Sequence, residues 1–336
     1  MHGTGSELVC WTDAEHLALT RGVLDRLGSA VVPLAVGSPD GVTDPLAQEL
    51  DAAPTRDLRA TLVDHPARFV LNLTHRPLNP AETALATEHG TTVLNLEPHR
   101  DDPRDWKPPA DPAAAPRTLG GFLASPGFYA AAEPFDVAGR PVQAWISSRG
   151  QPHHGSLFAR CLDACFTLLH FADLPETIWA SQIQLRDPKA PVRPRPDVPD
   201  DHPRALRGRL GAMARCPDGS TLGLDLADDA PATQRRLHVL GPDGDLTVTD
   251  AGYRLTLPDG GGTDSEDPTP GRAPAAAVRF VDLLVGDIQR LIDRPHPTEP
   301  ANPERIRQAL ACVHAVVLST RTRQPESPRR LLEIVS

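Results

Sequence analysis

The chain has 336 residues, enough to bury two cores, and its 40% hydrophobic and 4% aromatic content is that of a globular protein. A formal net charge of −10 argues against a basic phosphate-binding face, so nucleic acid is not the expected partner. The 34 basic residues include two lysines, Lys107 and Lys189, which leaves 32 arginines and confines any lysine chemistry to two proline-rich segments.

Strand and helix alternate over the first hundred residues. "ELVCWT" (Glu7–Thr12) reads as a short strand, and Glu15–Gly28 as a helix with apolar residues at helical spacing and Gly28 as its stop. "AVVPLAV" (Ala30–Val36) is a second strand, whose proline predicts a distorted edge or entry. A helix around Pro45–Ala52, a strand at Arg68–Thr74, a helix at Asn79–Gly90 and the strand "TTVLNLE" follow. Buried strands alternating with helices predict a doubly wound parallel sheet with right-handed crossovers.

Pro103–Arg117 has the composition of a linker, and the pattern changes after it. His154–Glu176 reads as a strong helix, followed by the strand "TIWASQIQL" and a proline-rich excursion at Pro188–Pro203. The runs "RALRGRLGAMA", "STLGLDLA", "RRLHVLG", "GDLTVTD" and "YRLTLPDG" are strands joined by turns such as Pro217-Asp218-Gly219 and Pro242-Asp243-Gly244. Asp259–Pro274 reads as a mobile loop, and helices at Ala276–Ile292 and Pro303–Thr320 close the chain. The expected class is α/β: residues 1–118 form the doubly wound domain, and 119–336 an α+β domain with a mostly antiparallel open sheet. The closing helices are candidates to pack back on the first domain.

No run approaches the ~18 apolar residues of a membrane span. The start lacks the basic-then-apolar pattern of a signal peptide, so a cytoplasmic protein is the expectation. The five cysteines are scattered. Cys161 and Cys165 are four apart on one helix face, which suits packing better than a disulfide or zinc.

The order of elements and several strings resemble the glucose–fructose oxidoreductase / inositol dehydrogenase (Gfo/Idh/MocA) family over nearly the whole chain. "FVLNLTHRPLNPAETALATEHGTTVLNLEPH" resembles that family's strand ending in Thr-Pro-x-x-x-His, its helix ending in Gly and its strand ending in Glu-Lys-Pro. "HVLGPDGDLTVTDAGYRLTL" resembles its sheet-domain strand and Asp-Gly turn, and "PERIRQALACVHAVVLSTRT" its closing helix. The resemblance implies a Rossmann-like first domain, a nicotinamide cofactor and a homodimer through the open sheet of the second domain. It also exposes departures. Glu97 stands at the lysine of Glu-Lys-Pro, Asp163 at the catalytic histidine and Ala159 at the preceding aspartate. One branch that lacks this apparatus, the thiazolinyl imine reductases, is similar at "LFARCLD" (Leu157–Asp163), at Glu97-Pro98-His99, and at Ser125-Pro126 with Tyr129 a turn away.

The first turn, Thr12-Asp13-Ala14-Glu15-His16, carries no glycine to let backbone amides approach a pyrophosphate, and its two carboxylates repel phosphate. Gly37-Ser38 stand where an acid would grip the ribose 2′-hydroxyl, a pattern compatible with NADP. Thr12, Ser38, Thr74, His75 and Arg76 are the candidate cofactor contacts, with a solvated loop charge as the plainer reading of Arg76.

Glu97 follows a strand at the sheet edge where such folds place ligands, and partial burial there would make it a general acid or base. Its plainer role is to cap a loop or to pair with an arginine such as Arg100. His99 is a proton donor on chemical grounds. Asp163 lies in an apolar helix, held by a partner such as Arg160 or facing a site. Tyr129 completes the proton-handling candidates, and Ser125, His153 and His154 are the candidate substrate-pocket residues. No ligand spacing supports a metal, and no nucleophile has a recognisable base and orienter.

The resemblance favours an NAD(P)H-dependent reductase of an imine or related C=N/C=O group in specialised metabolism, which is the function expected; the alternatives, favoured by the first turn, are a cofactor-independent cyclase or isomerase and a non-catalytic binding protein. The substrate expected is a small molecule or a carrier-bound one.

Overall fold

A computed structural model describes residues 5–38, 41–103, 116–183, 202–265, 279–293 and 302–335. Lys107, Lys189 and most of the two proline-rich segments lie outside the described residues. The described residues fall into two compact units. The first comes from Met1–Arg100, Lys107–Gly120 and Arg279–Pro300, and the second from Asp101–Trp106, Gly121–Val278 and Ala301–Ser336.

The first unit is the doubly wound sheet that alternation predicted. Its strands are β1 (Ser6–Thr12), β2 (Val31–Gly37), β3 (Ala53–Thr55), β4 (Phe69–Leu73), β5 (Thr92–Asn95) and β6 (Arg117–Thr118). All pairs are parallel, in the order β3-β2-β1-β4-β5-β6. Every residue of β4 is buried, as are Leu8, Val9 and Cys10 of β1, because helices cover both faces of a parallel sheet. The register of β1 on β2 shifts between Leu8 and Val9, opposite Pro33, and β3 pairs β2 only at Ala35–Gly37. Pro33 therefore sits at the distorted, edge-like part of β2, where its missing N–H costs no ladder bond.

The helices of this unit are α1 (Leu17–Leu27), α2 (Asp44–Glu49), α3 (Leu58–Asp64), α4 (Pro80–Glu88) and α8 (Phe280–Asp293). Asn79 caps α4, accepting from Ala81 and Glu82 amides at 3.0 and 2.9 Å, while Glu82 reaches back to the Asn79 amide at 2.9 Å. The short β3 and α3 were not legible in the sequence. Seven residues are too few for an apolar period to repeat, although Asp57 caps α3 and Leu58 and Leu62 are buried. Late in sequence, α8 joins this unit: Arg26 pairs with Asp282 at 2.9 Å and Arg68 donates to the Ile292 carbonyl at 3.0 Å.

The second unit is the expected α+β layer. Its strands are β7 (Gln143–Arg149), β8 (Thr177–Ile183), β9 (Arg209–Arg215), β10 (Thr221–Ala227), β11 (Gln234–Leu240), β12 (Asp245–Thr249), β13 (Tyr253–Thr256) and β14 (Gly262–Asp264). They run in the order β14-β13-β12-β11-β7-β10-β9-β8, antiparallel except for β7 on β10. Its helices are α5 (Pro126–Ala130), α6 (Ala132–Ala138), α7 (Leu157–Leu168), α9 (Pro303–Thr322) and α10 (Pro328–Val335). Leu157, Phe158, Cys161, Ala164, Cys165 and Leu168 of α7 are buried in one core with Leu310, Cys312, Val313 and Val317 of α9. The cysteine pair is thus packing, as its spacing implied.

Two readings need correction, and one strand was missed. The helix expected at His154–Glu176 spans only Leu157–Leu168: Gly155 takes a left-handed φ of 105° and Ser156 caps the first turn, accepting from the Ala159 amide at 3.1 Å. The segment read as a mobile loop from Asp259 carries β14 against β13, and its remainder from residue 266 lies outside the described residues. The central strand β7 went unread before the structure.

Candidate functional site

In the first unit the strand order reverses between β1 and β4, and the crevice beyond their C-terminal ends is the place where open α/β sheets take ligands. Three segments follow the ends of adjacent strands there: Asp13–His16 after β1, Thr74–Arg76 after β4, and Glu97–His99 after β5. Glu97 is 1% exposed, so its carboxyl group lies inside the fold and not on the outer surface.

The residues after β1 are bound to one another and to the β4 loop. Asp13 Oδ1 accepts from the amides of Glu15 and His16, each at 3.1 Å, and lies 2.6 Å from His16 Nδ1. Its Oδ2 accepts from the His75 amide at 3.4 Å. His75 Nε2 is 2.8 Å from Glu15, and the His16 and His75 rings meet edge to face with centroids 4.4 Å apart. Burial pushes the Asp13 carboxyl group up, but the His16 hydrogen bond and the two imidazoles outweigh it and hold it below the usual carboxylate range.

The other expected cofactor contacts also serve the fold. The Thr12 hydroxyl donates to the Leu73 carbonyl at 3.0 Å and accepts from Thr20 at 2.9 Å. Thr74 donates to the Arg76 carbonyl at 2.6 Å, and Asn72 donates to the same carbonyl at 2.9 Å, which together set the β4 loop. Ser38 is fully buried and its amide donates to Thr55 at 3.2 Å. The Arg76 side chain is exposed.

A nicotinamide dinucleotide, which the fold implies, can be tested against this turn. Its pyrophosphate needs free amides at the start of the helix and room for the backbone to approach it. Here an aspartate already takes the amides of the turn that leads into α1. A phosphate brought within ~4 Å of it would meet a repulsion of roughly 4 kcal/mol at an effective dielectric of about 20. The first turn as it stands does not fit the pyrophosphate.

In the second unit Asp163 is held by groups distant in sequence. It accepts from the Phe122 amide at 3.0 Å and from Arg235 at 3.4 Å, and Arg235 Nε also donates to Asp250 at 2.9 Å. Arg160, the neighbour expected from spacing, instead donates to the carbonyls of Gln151 and His154, at 2.9 and 3.3 Å. Burial pushes the Asp163 carboxyl group up, against the pull of Arg235 and the Phe122 amide. Ser125 caps α5 through the Phe128 amide, at 3.3 Å, and Tyr129 is 60% exposed. His154 Nδ1 lies 2.9 Å from the Thr233 hydroxyl, with the His153 ring centroid 4.4 Å from its own. Among the described residues no group of three or more His, Cys, Asp or Glu is placed to hold a metal, and no helix is long and apolar enough to cross a membrane.

Sequence reading missed His16, Arg235 and Asp250. The spacing Asp13-x-x-His16 was a local signal for the first. Nothing local marks Arg235, which lies 72 residues from Asp163.

No family profile and no curated protein matches the chain. Solved structures do match along nearly its whole length. GenD2 from gentamicin A biosynthesis, in complex with NAD, has a TM-score of 0.68 at 16% identity, covering 97% of this chain and 97% of its own. Levoglucosan dehydrogenase, in complex with NADH and levoglucosan, has 0.69 at 12% identity, with 95% and 98% covered. An oxidoreductase from Agrobacterium radiobacter, in complex with NAD+, L-tartaric acid and magnesium, has 0.68 at 13% identity, with 98% and 100% covered. The chain has the two-part fold of these NAD-binding oxidoreductases.

Proposed function

We propose that the chain is an enzyme of the Gfo/Idh/MocA type in fold and lineage, acting on a small or carrier-bound substrate without a dinucleotide seated at its first turn. The observation that carries this reading is the Asp13 carboxylate lying on the amides of Glu15 and His16. The chemistry it leaves open is proton transfer, as in an isomerase or cyclase, with Glu97 and His99 as the acid–base candidates at the sheet edge. Asp163 and Tyr129 are weaker candidates, the first because it is tied to Phe122 and Arg235 and the second because it is exposed. Ser125, His153 and His154 remain candidates for the substrate pocket. A homodimer through the outer face of the second sheet belongs to the same proposal.

A second reading is supported by the neighbours solved with NAD or NADH. On it the chain is an NAD(P)H-dependent reductase of an imine or related C=N/C=O group, and the biosynthetic setting of GenD2 is in keeping with specialised metabolism. Calorimetric titration of NADH and of NADPH into the purified protein separates the two. The first reading expects no saturable heat up to about 1 mM. A Kd near 1 μM, about −8 kcal/mol, for either cofactor would overturn it and favour the second.

A further inference from the structure

Four donors converge on one carboxylate at the reversal point of the first sheet: the amides of Glu15, His16 and His75, and His16 Nδ1. Backbone amides of the turn that leads from β1 into α1, joined by an amide from the neighbouring strand's loop, form the kind of concave donor set that takes an anion's oxygen. In this chain the acceptor is supplied from within. The His16 side chain beside it is fully buried, and its Nε2 has no hydrogen-bond partner among the described residues.

We propose that Asp13 is a tethered anion occupying a latent oxyanion site, so that the first turn is an anion-binding site closed by its own side chain. A carboxylate fixed one methylene from the backbone is present at an effective concentration that free millimolar anions do not match. The groups around it fit this role. Glu15 is drawn to His75 Nε2, and His16 and His75 face the carboxylate with polar hydrogens. The depressed Asp13 carboxyl pKa keeps the occupant charged. The inference rests on the reading without nicotinamide and names the reason for it: the donors of the first turn are present but already filled.

Inorganic pyrophosphate is the probe, titrated by calorimetry into the wild type, Asp13→Asn and Asp13→Gly. Glycine empties the donors, whereas asparagine keeps a neutral acceptor on them. Asp13→Gly is expected to bind pyrophosphate at least about tenfold more tightly than the wild type, with a Tm that rises with pyrophosphate concentration. Asp13→Asn, which loses the repelling charge but keeps an acceptor on the amides, is expected to gain clearly less than Asp13→Gly. A folded Asp13→Gly with no gain overturns the proposal, and so does an equal gain in Asp13→Asn. NADH binding by the wild type sinks the underlying function reading instead, so the two failures are distinguishable. If Asp13→Gly does not fold, amide NMR of the wild type decides. The Glu15, His16 and His75 amides must shift with one midpoint as Asp13 is protonated, and separate midpoints overturn the shared site.

Discussion

At the scale of single residues, two aspartates differ by what surrounds them. Asp13 meets donors on both oxygens, and despite its burial its carboxyl group is held low by His16 and His75. Asp163 is pushed up, because burial outweighs Arg235 and the Phe122 amide. The sign of each effect on stability follows. A depressed carboxyl group stabilises the fold above its ordinary value near 3.9, and this is lost as pH falls through the lower folded value. The raised Asp163 works the other way, its contribution being present in acid and lost as pH rises. The Tm difference between the wild type and Asp13→Asn is therefore expected to be largest near neutrality and to shrink below about pH 4. A difference that grows in acid would remove the ionised Asp13 contact from the account.

At the scale of elements, the second unit is tied together by a charge that no local pattern announces. Arg235 of β11, 7% exposed, joins Asp163 of α7 to Asp250 after β12, with its guanidinium 5.4 Å from the Phe122 ring centroid. Removing it strands two carboxylates in a protein interior. Arg235→Met is expected to cost about 3–5 kcal/mol in urea unfolding. Arg140→Met, at an exposed pair with Asp173 and Asp218, is expected to cost less than about 1 kcal/mol. Equal costs would mean that the buried network is not what holds these elements. β7 belongs at this scale too. Its alternation, Ala144 and Ile146 inward and Trp145 and Ser147 less buried, is a strand signal in seven residues. Only its pairing, parallel to β10 and antiparallel to β11, makes it the strand that joins the two halves of the sheet.

At the scale of the whole molecule, the outer face of the second sheet leaves large apolar side chains in solvent. Trp179 and Met213, paired across β8 and β9, are each 50% exposed, and Ile183 on β8 is exposed as well. Large apolar side chains exposed on one sheet face fit a two-fold partner. Light scattering on the purified protein is expected to give twice the monomer mass, and Trp179→Asp to give the monomer. A monomeric wild type at micromolar concentration would leave the face without this explanation.

The sequence by itself determined the alternation of the first unit, the strand-rich second unit, and the absence of glycine from the first turn. These are local facts, because hydrophobic period, turn chemistry and residue identity act over a few positions. It also placed Glu97 at a strand end, where the structure buries it. Only the tertiary structure decided that Asp13 takes the His75 amide, 62 residues away, that Asp163 is bonded by Arg235 of a distant strand, and that α8 returns to the first unit. Hydrogen bonds and ion pairs are made between groups that folding brings together, and their partners carry no mark in the stretch of chain around either residue.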